Sequence, residues 1–131
     1  TDFILVHDAV RPFISPELIV KTIKAAKVNQ AAVCAIPSKS TLKRVTDNYE
    51  IFETLDRKNI WEIQTPQVFK KNTLINAYKK YGHLEATDDA SLVEKTGVRV
   101  KVVLGSYFNI KITTPEDLVF AKAILKNKHY V

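Results

Sequence analysis

The fold of this chain is decided by residues 3–12, which read FILVHDAVRP. Four apolar residues rich in β-formers indicate a strand that is buried on both faces, of the kind found in parallel sheets. In open α/β folds, ligands bind just beyond the carboxyl ends of the strands. We therefore expect His7, Asp8 and Arg11 to lie at the mouth of a binding site, with Pro12 turning the chain away from it.

The composition is that of one ordinary globular domain. Of the 131 residues, 46% are hydrophobic and 26% are charged. No apolar run approaches the roughly 18 residues of a membrane span, and no signal peptide is visible, so we expect no membrane association. Cys34 is the single cysteine and lies in the apolar run 31–36. This placement favours a buried thiol in a reduced cytoplasm over a catalytic thiol.

The net charge of +6 can attract nucleic acid but also small phosphorylated ligands. The sequence contains no zinc-ligand spacing, no arginine-rich run and no alternation of aromatic and basic residues, so we do not expect it to bind nucleic acid. The chain has no methionine and opens directly on a strand that looks buried. We therefore expect an N-terminal portion to precede the residues given.

The rest of the chain alternates helical and strand patterns, interrupted by one hairpin. Strands 3–6 and 32–36 flank the first helix, which indicates two parallel strands joined by a right-handed crossover. The hairpin at 41–54 leaves this alternation, so it is expected to project as an arm. A two-stranded arm is marginal alone, and a second copy of the chain is the obvious surface for it to lie on. The further predicted elements are helices 16–28 (capped by Ser15), 70–81, about 87–97 and from 115, strands 60–63, 98–103 and 108–113, and a loop at 65–67.

Two helical faces are predicted to point inward. They consist of Leu74, Ile75, Ala77 and Tyr78 on the second long helix, and of Leu118, Ala121, Ile124 and Leu125 on the last.

Two groups of residues could carry chemistry near the first strand. Asp8 and Arg11 could bind sugar hydroxyls and phosphate, or pair with each other to pin the loop. His7 is more often structural than a general base. Lys111 is flanked by apolar residues in the predicted strand 108–113, where it needs a partner such as a phosphate unless it faces outward.

Other candidates each have a plain structural interpretation. Thr41, Lys43, Arg44 and Arg57 lie on or beside the arm, where each could simply be a solvated strand residue. Asp88 and Asp89 could hold Mg²⁺ but also fit the start of a helix. Residues 65–67 could contact a ligand or form a plain loop. The sequence shows no glycine-rich phosphate loop and no nucleophile–base arrangement.

Six motifs, taken together, carry a family resemblance. They are HDAVRP (7–12), TLKR (41–44), DRKNIW (56–61), TPQVF (65–69), TDDAS (87–91) and NIKITTPEDL (109–118). Each is weak alone, but their order is specific. The chain resembles the 2-C-methyl-D-erythritol 4-phosphate cytidylyltransferases of non-mevalonate isoprenoid biosynthesis, and the match covers essentially its whole length.

The resemblance implies a fold and an activity. The fold would be α/β, a Rossmann-like nucleotidyltransferase three-layer sandwich with a projecting β-hairpin arm. Residues 1–131 would be the C-terminal part of one such domain, with residues 38–58 as the arm that makes a homodimer. The activity would join CTP and methylerythritol phosphate in the cytoplasm, releasing pyrophosphate with the help of Mg²⁺. No residue of this chain is a confident Mg²⁺ ligand.

The resemblance also implies roles for individual residues. Asp8, Ala9 and Arg11 would help to bind the sugar phosphate and its hydroxyls. Lys111 would act near the phosphates, which makes Lys111 and Asp8 the catalytic candidates. Thr41 and Arg57, on the arm, would hold the methylerythritol phosphate in the neighbouring subunit's site.

One departure keeps two alternatives open. Members of this family carry a glycine-rich loop with Arg and Lys that cradles the CTP triphosphate, and nothing in this sequence matches it. The chain could therefore be a non-catalytic dimerisation fragment. A ribitol 5-phosphate cytidylyltransferase shares the motifs at 7–12 and 109–111, although those at 41–44 and 87–90 favour methylerythritol phosphate.

Overall fold

The computed structural model describes residues 1–127, so residues 128–131 of the predicted domain lie outside the described range. The described residues form a four-stranded sheet, a separate two-stranded sheet and four α-helices. In chain order the elements are β1 (Phe3–Val6), α1 (Pro16–Asn29), β2 (Ala31–Pro37), β3 (Lys43–Val45), β4 (Ile51–Thr54), a short 3₁₀ helix (Arg57–Asn59), β5 (Trp61–Lys70), α2 (Lys71–Tyr81), α3 (Asp89–Glu94), β6 (Lys101–Leu104) and α4 (Pro115–Lys126).

The main sheet is mixed, with the strand order β1-β5-β2-β6. β5 runs antiparallel to both of its neighbours, and β2 pairs with β6 in parallel. β1 and β2 therefore run in the same direction, as predicted, but β5 lies between them. The expectation that β1 belongs to a parallel pairing is wrong within residues 1–127, where it pairs with β5 alone. As an edge strand there, it leaves Leu5 40% exposed, so the strand is only half-buried.

Helices cover both faces of this sheet, which gives the predicted three-layer α/β sandwich. Alternate residues of β2 face opposite sides, as the pleat of a strand requires. Val33 packs in the cluster that contains Leu74 of α2 and Val93 of α3, whereas Ala32 packs with Ala26 of α1. The residues of β1 are apolar because helices cover both faces of the strand, and not because parallel strands lie on both sides of it.

β5 corrects the prediction of a short strand followed by a loop at 65–67. It is one ten-residue strand that includes Pro66, whose bond to Thr65 is cis. Val33 pairs with Gln67 and Ala35 with Ile63, so the ladder is irregular between these pairs. A proline is tolerated there because it need not donate a ladder hydrogen bond.

The predicted strand at 108–113 is also wrong, because this segment is irregular. Its alternate apolar residues Phe108, Ile110 and Ile112 pack against the cluster of Phe13 and α4 instead of a sheet face. The Ile112 N–H donates to the Val10 carbonyl at 2.9 Å. The strand predicted at 98–103 is shorter and begins at Lys101.

The helices lie close to their predicted positions, but their buried faces are narrower. The Ser15 side chain caps α1 by accepting the Leu18 N–H at 3.2 Å, as predicted. Leu74, Ala77, Ala121 and Ile124 are buried, as predicted, whereas four other residues predicted to point inward remain exposed. These are Ile75, Tyr78, Leu118 and Leu125. Among residues 1–127, no helix is long and apolar enough to cross a membrane.

The hairpin is confirmed as β3 and β4, which form a two-stranded sheet of their own. An ion pair of 2.7 Å joins Arg44 and Glu53 across it. Every residue of both strands is exposed, and the apolar residues Tyr49, Ile51 and Phe52 are at least 60% exposed. A two-stranded sheet of this kind is marginal in water without a surface that covers its apolar residues.

Candidate functional site

An ion triad lies where β1 ends. Asp8 Oδ2 accepts from Arg11 Nε at 3.2 Å and lies 3.3 Å from Lys111 Nζ. Partial burial acts to raise the pKa of the Asp8 carboxyl, but the hydrogen bonds and positive charges of Lys111 and Arg11 together outweigh it and lower that pKa. Asp8 is therefore a carboxylate at neutral pH, with two cations on one oxygen.

The two cations differ in how they are held. The Arg11 side chain is 12% exposed, and its Nη1 also donates to the Asn109 carbonyl at 2.7 Å. Arg11 thus ties the loop after β1 to the loop that carries Lys111. The Lys111 side chain is 47% exposed and is paired with Asp8 alone among the described residues. Both cations retain unused donors, but Lys111 is the one exposed enough to offer them to a ligand.

Thr65 joins three parts of the site from within β5. Its Oγ1 accepts the Asp8 backbone N–H at 2.9 Å and lies 3.0 Å from His7 Nδ1. Its carbonyl accepts from Asn109 Nδ2 at 2.8 Å. These contacts fix the position of the Asp8 backbone relative to the Lys111 loop.

Hydrogen bonds of Gln64 and Asn109 hold the loop that carries Lys111 in place. Gln64 Nε2 donates to the Ser106 carbonyl at 2.9 Å, and Asn109 is fully buried. Asn109 Nδ2 also lies 3.4 Å from Gln64 Oε1, while its own Oδ1 is buried without a hydrogen-bond partner in the described part of the chain. A Cβ on Gly105 would approach Gln64 Oε1 to 2.3 Å, so the absence of a side chain at Gly105 lets Gln64 sit there.

A cleft of about 560 Å³ opens beside the triad. Its lining combines the two cations with carboxylate, hydroxyl and amide groups and includes Asp8, Arg11, Thr65, Gln67, Asp88 and Lys111. Such a cleft can bind a ligand that carries both a phosphate and hydroxyls, because cations favour phosphate and carboxylates accept from hydroxyls.

Asp88 belongs to the wall of the cleft as the N-cap of α3. It accepts the Ser91 N–H at 2.9 Å and Gln67 Nε2 at 2.8 Å. Asp89 accepts a hydrogen bond from the Tyr78 hydroxyl. Asp88 therefore caps α3, as the capping interpretation predicts, and Asp89 in the first turn is engaged by Tyr78. Within residues 1–127, no three His, Cys, Asp or Glu side chains converge as a metal site would require.

The arm residues lie elsewhere within one chain. Thr41 and Arg57 are exposed, and neither lines the cleft that the described residues form. Arg57 donates to the Lys39 carbonyl, while Asp56 accepts the Lys58 N–H instead of pairing with Arg57. Ala9 is exposed in the turn after Asp8 and is not in the lining. The structure thus brings Asp8, Arg11 and Lys111 together and leaves Thr41, Arg57 and Ala9 outside the lining.

Sequence reasoning missed the bracing residues Gln64 and Asn109, and it treated Thr65 and Gln67 as a loop. A usable signal was present, since the polar residues at 64, 65 and 67 adjoin the apolar pair Val68 and Phe69. Buried polar side chains need hydrogen-bond partners, so such a cluster indicates a buried network.

Sequence comparison relates the chain to one enzyme family. A profile of the IspD family, 2-C-methyl-D-erythritol 4-phosphate cytidylyltransferase, matches residues 1–127. The curated protein of that name from Alkaliphilus metalliredigens is 49% identical over 129 residues, which is 97% of this chain and 54% of the relative. The corresponding protein of Syntrophus aciditrophicus is 47% identical, covering 97% of this chain and 55% of the relative. The chain spans about half the length of the curated relatives it matches.

Structural comparison agrees. The crystal structure of the 4-diphosphocytidyl-2C-methyl-D-erythritol synthase from Anaerococcus prevotii superposes with a TM-score of 0.87 at 44% identity, covering 96% of this chain and 57% of that one. The 2-C-methyl-D-erythritol 4-phosphate cytidylyltransferase of Thermus thermophilus gives a TM-score of 0.86 at 37% identity, covering 96% and 63%. The predicted Rossmann-like α/β fold is confirmed by these neighbours.

Proposed function

Because the chain belongs to the 2-C-methyl-D-erythritol 4-phosphate cytidylyltransferase family, we propose that it forms the polyol-phosphate side of a site that transfers a cytidylyl group from CTP. Residues 1–131 would be the C-terminal part of one nucleotidyltransferase domain. The single observation that carries the proposal is the contact of Lys111 with Asp8 at the edge of the cleft. It places a cation and a hydroxyl acceptor side by side, which suits a phosphorylated polyol.

The chemistry explains why the site needs cations and no general base. A phosphate oxygen of methylerythritol phosphate attacks the α-phosphorus of CTP, and a new P–O bond forms. The bond from that phosphorus to the bridging oxygen breaks, and pyrophosphate leaves with the electron pair. The nucleophile is already an anion, so the barrier comes from phosphate–phosphate repulsion and from charge in the transition state, both of which cations offset.

We propose that three residues share the work of binding the polyol phosphate. Lys111, half-exposed beside the cleft, contacts the phosphate. Asp8 accepts a hydroxyl of the polyol through Oδ1, which has no hydrogen bond to any residue of 1–127, while its Oδ2 holds the two cations. Arg11 is largely buried and holds Asp8 and the Asn109 loop in place.

We propose that Mg²⁺ binds to the site together with the nucleotide. The carboxylates of Asp88 and Asp89 are already occupied by the cap and by Tyr78, and within residues 1–127 no three His, Cys, Asp or Glu side chains converge. This donor set fits an ion held mainly by substrate phosphates, which is how Mg²⁺ is commonly bound. When bound, Mg²⁺ would offset negative charge on the nucleotide's phosphates.

We further propose a cytoplasmic homodimer in which the arm, residues 38–58, crosses to a second subunit. The exposed apolar residues of β3 and β4 support this, since a partner would cover them. Thr41 and Arg57, which lie outside the cleft of their own chain, would then hold the methylerythritol phosphate in the partner's cleft. The relatives named above are methylerythritol phosphate enzymes, and this favours that substrate over ribitol 5-phosphate.

A competition assay tests the proposal in the complete protein. Pyrophosphate release from CTP is measured with methylerythritol phosphate, with ribitol 5-phosphate and with both together. We expect release with methylerythritol phosphate and at least a tenfold preference for it in kcat/KM. Preference for ribitol 5-phosphate would reassign the substrate, and no release with either substrate would overturn the proposed cytidylyl transfer.

A further inference from the structure

His7 has no role in the proposed function, yet it contacts two parts of the site. Its Nε2 lies 3.1 Å from the Arg11 carbonyl oxygen, and its Nδ1 lies 3.0 Å from Thr65 Oγ1. The residue is half-buried directly before Asp8. Both ring nitrogens are therefore engaged, and the imidazole connects the loop after β1 to β5.

The partners determine which nitrogen carries the hydrogen. A carbonyl oxygen can only accept, so Nε2 must donate to Arg11. In a neutral imidazole Nδ1 is then an acceptor, and the Thr65 hydroxyl donates its hydrogen to it. The same Oγ1 already accepts the Asp8 N–H at 2.9 Å. One acceptor lone pair is all that the Thr65 hydroxyl has left for a ligand.

The cationic form of His7 would reverse this polarity. Nδ1–H would then donate to Oγ1, and the hydroxyl hydrogen of Thr65 would be free to bond an anionic oxygen. The protonation of one ring nitrogen thus decides whether Thr65, which lines the cleft beside Asp8, receives a hydrogen bond or gives one.

We propose that His7 is a positioning residue that, as the neutral Nε2–H tautomer, makes Thr65 Oγ1 an acceptor and so reserves the Asp8 side of the cleft for a ligand hydroxyl. Asp8 and Thr65 then both present acceptors, which repel phosphate oxygens and leave the phosphate to Lys111. The identity of that ligand as a polyol phosphate rests on the proposed function, whereas the tautomer and its effect on Thr65 do not.

The first test is spectroscopic and needs no activity. Imidazole ¹⁵N shifts of the complete protein at pH 7.5 are assigned through His7→Gln, with the exposed His83 as an internal reference. We expect His7 to show a protonated Nε2 and an unprotonated Nδ1, and Thr65→Val to shift the Nδ1 resonance. A protonated Nδ1, or a resonance that Thr65→Val leaves in place, would overturn the proposal.

The second test separates positioning from a purely structural role. His7→Asn keeps an acceptor near Nδ1, His7→Gln keeps a donor near Nε2, and His7→Phe keeps neither. We expect His7→Phe to raise the KM for the polyol phosphate about tenfold, the scale of one hydrogen bond, with the KM for CTP little changed. For His7→Asn the KM for the polyol phosphate should stay within about threefold of the wild-type value. The control His83→Phe should have the wild-type KM.

A double-mutant comparison completes the design. If His7 acts through the Thr65 hydroxyl, His7→Phe should add little in a Thr65→Val background, because both changes remove the same interaction. Additive effects, or an unchanged polyol-phosphate KM in folded His7→Phe, would overturn the proposal. If His7→Phe does not fold, the Asn and Gln variants decide between the two nitrogens. A wild-type protein without turnover would overturn the proposed function, while the ¹⁵N shifts would still decide the tautomer.

Discussion

Lys111 Nζ lies 3.3 Å from Asp8 Oδ2, although the two residues come from opposite ends of the described chain. The contact depends on Arg11, which shares the same carboxylate oxygen and holds the Asn109 carbonyl. The site is thus a junction between the end of β1 and the loop before α4.

Replacing Lys111 tests the cation that is free to meet a ligand. We expect Lys111→Ala to lower turnover tenfold or more, about 1.4 kcal/mol in barrier, because charge at the transferred phosphate is no longer offset. Loss of the half-exposed ion pair with Asp8 should cost at most about 1 kcal/mol of stability, so the variant should stay folded. Steady-state pyrophosphate release and urea unfolding measure the two effects. Lys24→Ala, on the exposed face of α1, is the matched control and should leave both unchanged.

Arg57 tests whether the arm completes a second subunit's site. Arg57→Ala should lower turnover at least tenfold, and so should Asp8→Ala. A mixed dimer of the two variants should recover one working site, because one cleft then has both an intact Asp8 and an intact partner arm. Differently tagged subunits are co-expressed and purified as mixed dimers for the assay, with each homodimer as a control. Mixed dimers as inactive as the homodimers would show that each site is built from a single chain.

The lowered pKa of Asp8 predicts that the stability of the protein depends on pH. Its pKa in the folded state is lowered from the ordinary value of 3.8, so the unfolded state binds more protons near that pH. The stabilisation is complete above the ordinary pKa and is lost as the pH falls through the folded-state pKa. The free energy of unfolding of the wild type, measured in urea at a series of pH values, should therefore fall more steeply below about pH 4 than that of Asp8→Asn.

The comparison for Asp8 is an exposed carboxylate in the hairpin turn. Asp47→Asn should keep the wild-type pH profile, because Asp47 makes no ion pair within residues 1–127. Equal profiles for wild type and Asp8→Asn would contradict the triad as a source of stability.

Gly105 tests the bracing beneath the Lys111 loop. In Gly105→Ala the new Cβ would meet Gln64 Oε1 at 2.3 Å, and Gln64 is buried and bonded to Ser106. We expect a loss of about 1–3 kcal/mol in the free energy of unfolding together with a higher polyol-phosphate KM, as the loop shifts.

The matched variant is Gly97→Ala, where φ is +84° and nothing lies within 4 Å of the added Cβ. Backbone strain should cost about 1 kcal/mol of stability there without a change in KM, because Gly97 is outside the cleft lining. Urea unfolding and steady-state kinetics separate the two cases. A normal KM in Gly105→Ala would show that Gln64 does not position the loop.

Local patterns in the sequence were sufficient for several elements. Ser15 before Pro16 marks the start of α1, and the turn at 47–49 separates the strands of the hairpin. Both signals act between residues close in the chain, and the structure confirms both. The family resemblance rests on six motifs in order and is likewise confirmed.

The incorrect predictions of secondary structure have one cause, which is packing between segments that are distant in the chain. Pro66 indicates a loop by local rules, yet it lies within β5 because the ladder to β2 is irregular there. Ile110 and Ile112 alternate as in a strand, yet they pack on Phe13 and α4.

The sequence by itself determined which residues are apolar on each element, where helices begin, and which side chains could carry charge to a ligand. Only the tertiary structure decided that β5 separates β1 from β2 and that Lys111 reaches Asp8. The physical reason is that periodicity is a property of neighbouring residues, whereas strand partners and ion pairs depend on which surfaces meet when distant segments pack. Thr65 shows the difference, since its hydroxyl acts as the link between His7 and Asp8 only after β5 lies beside β1.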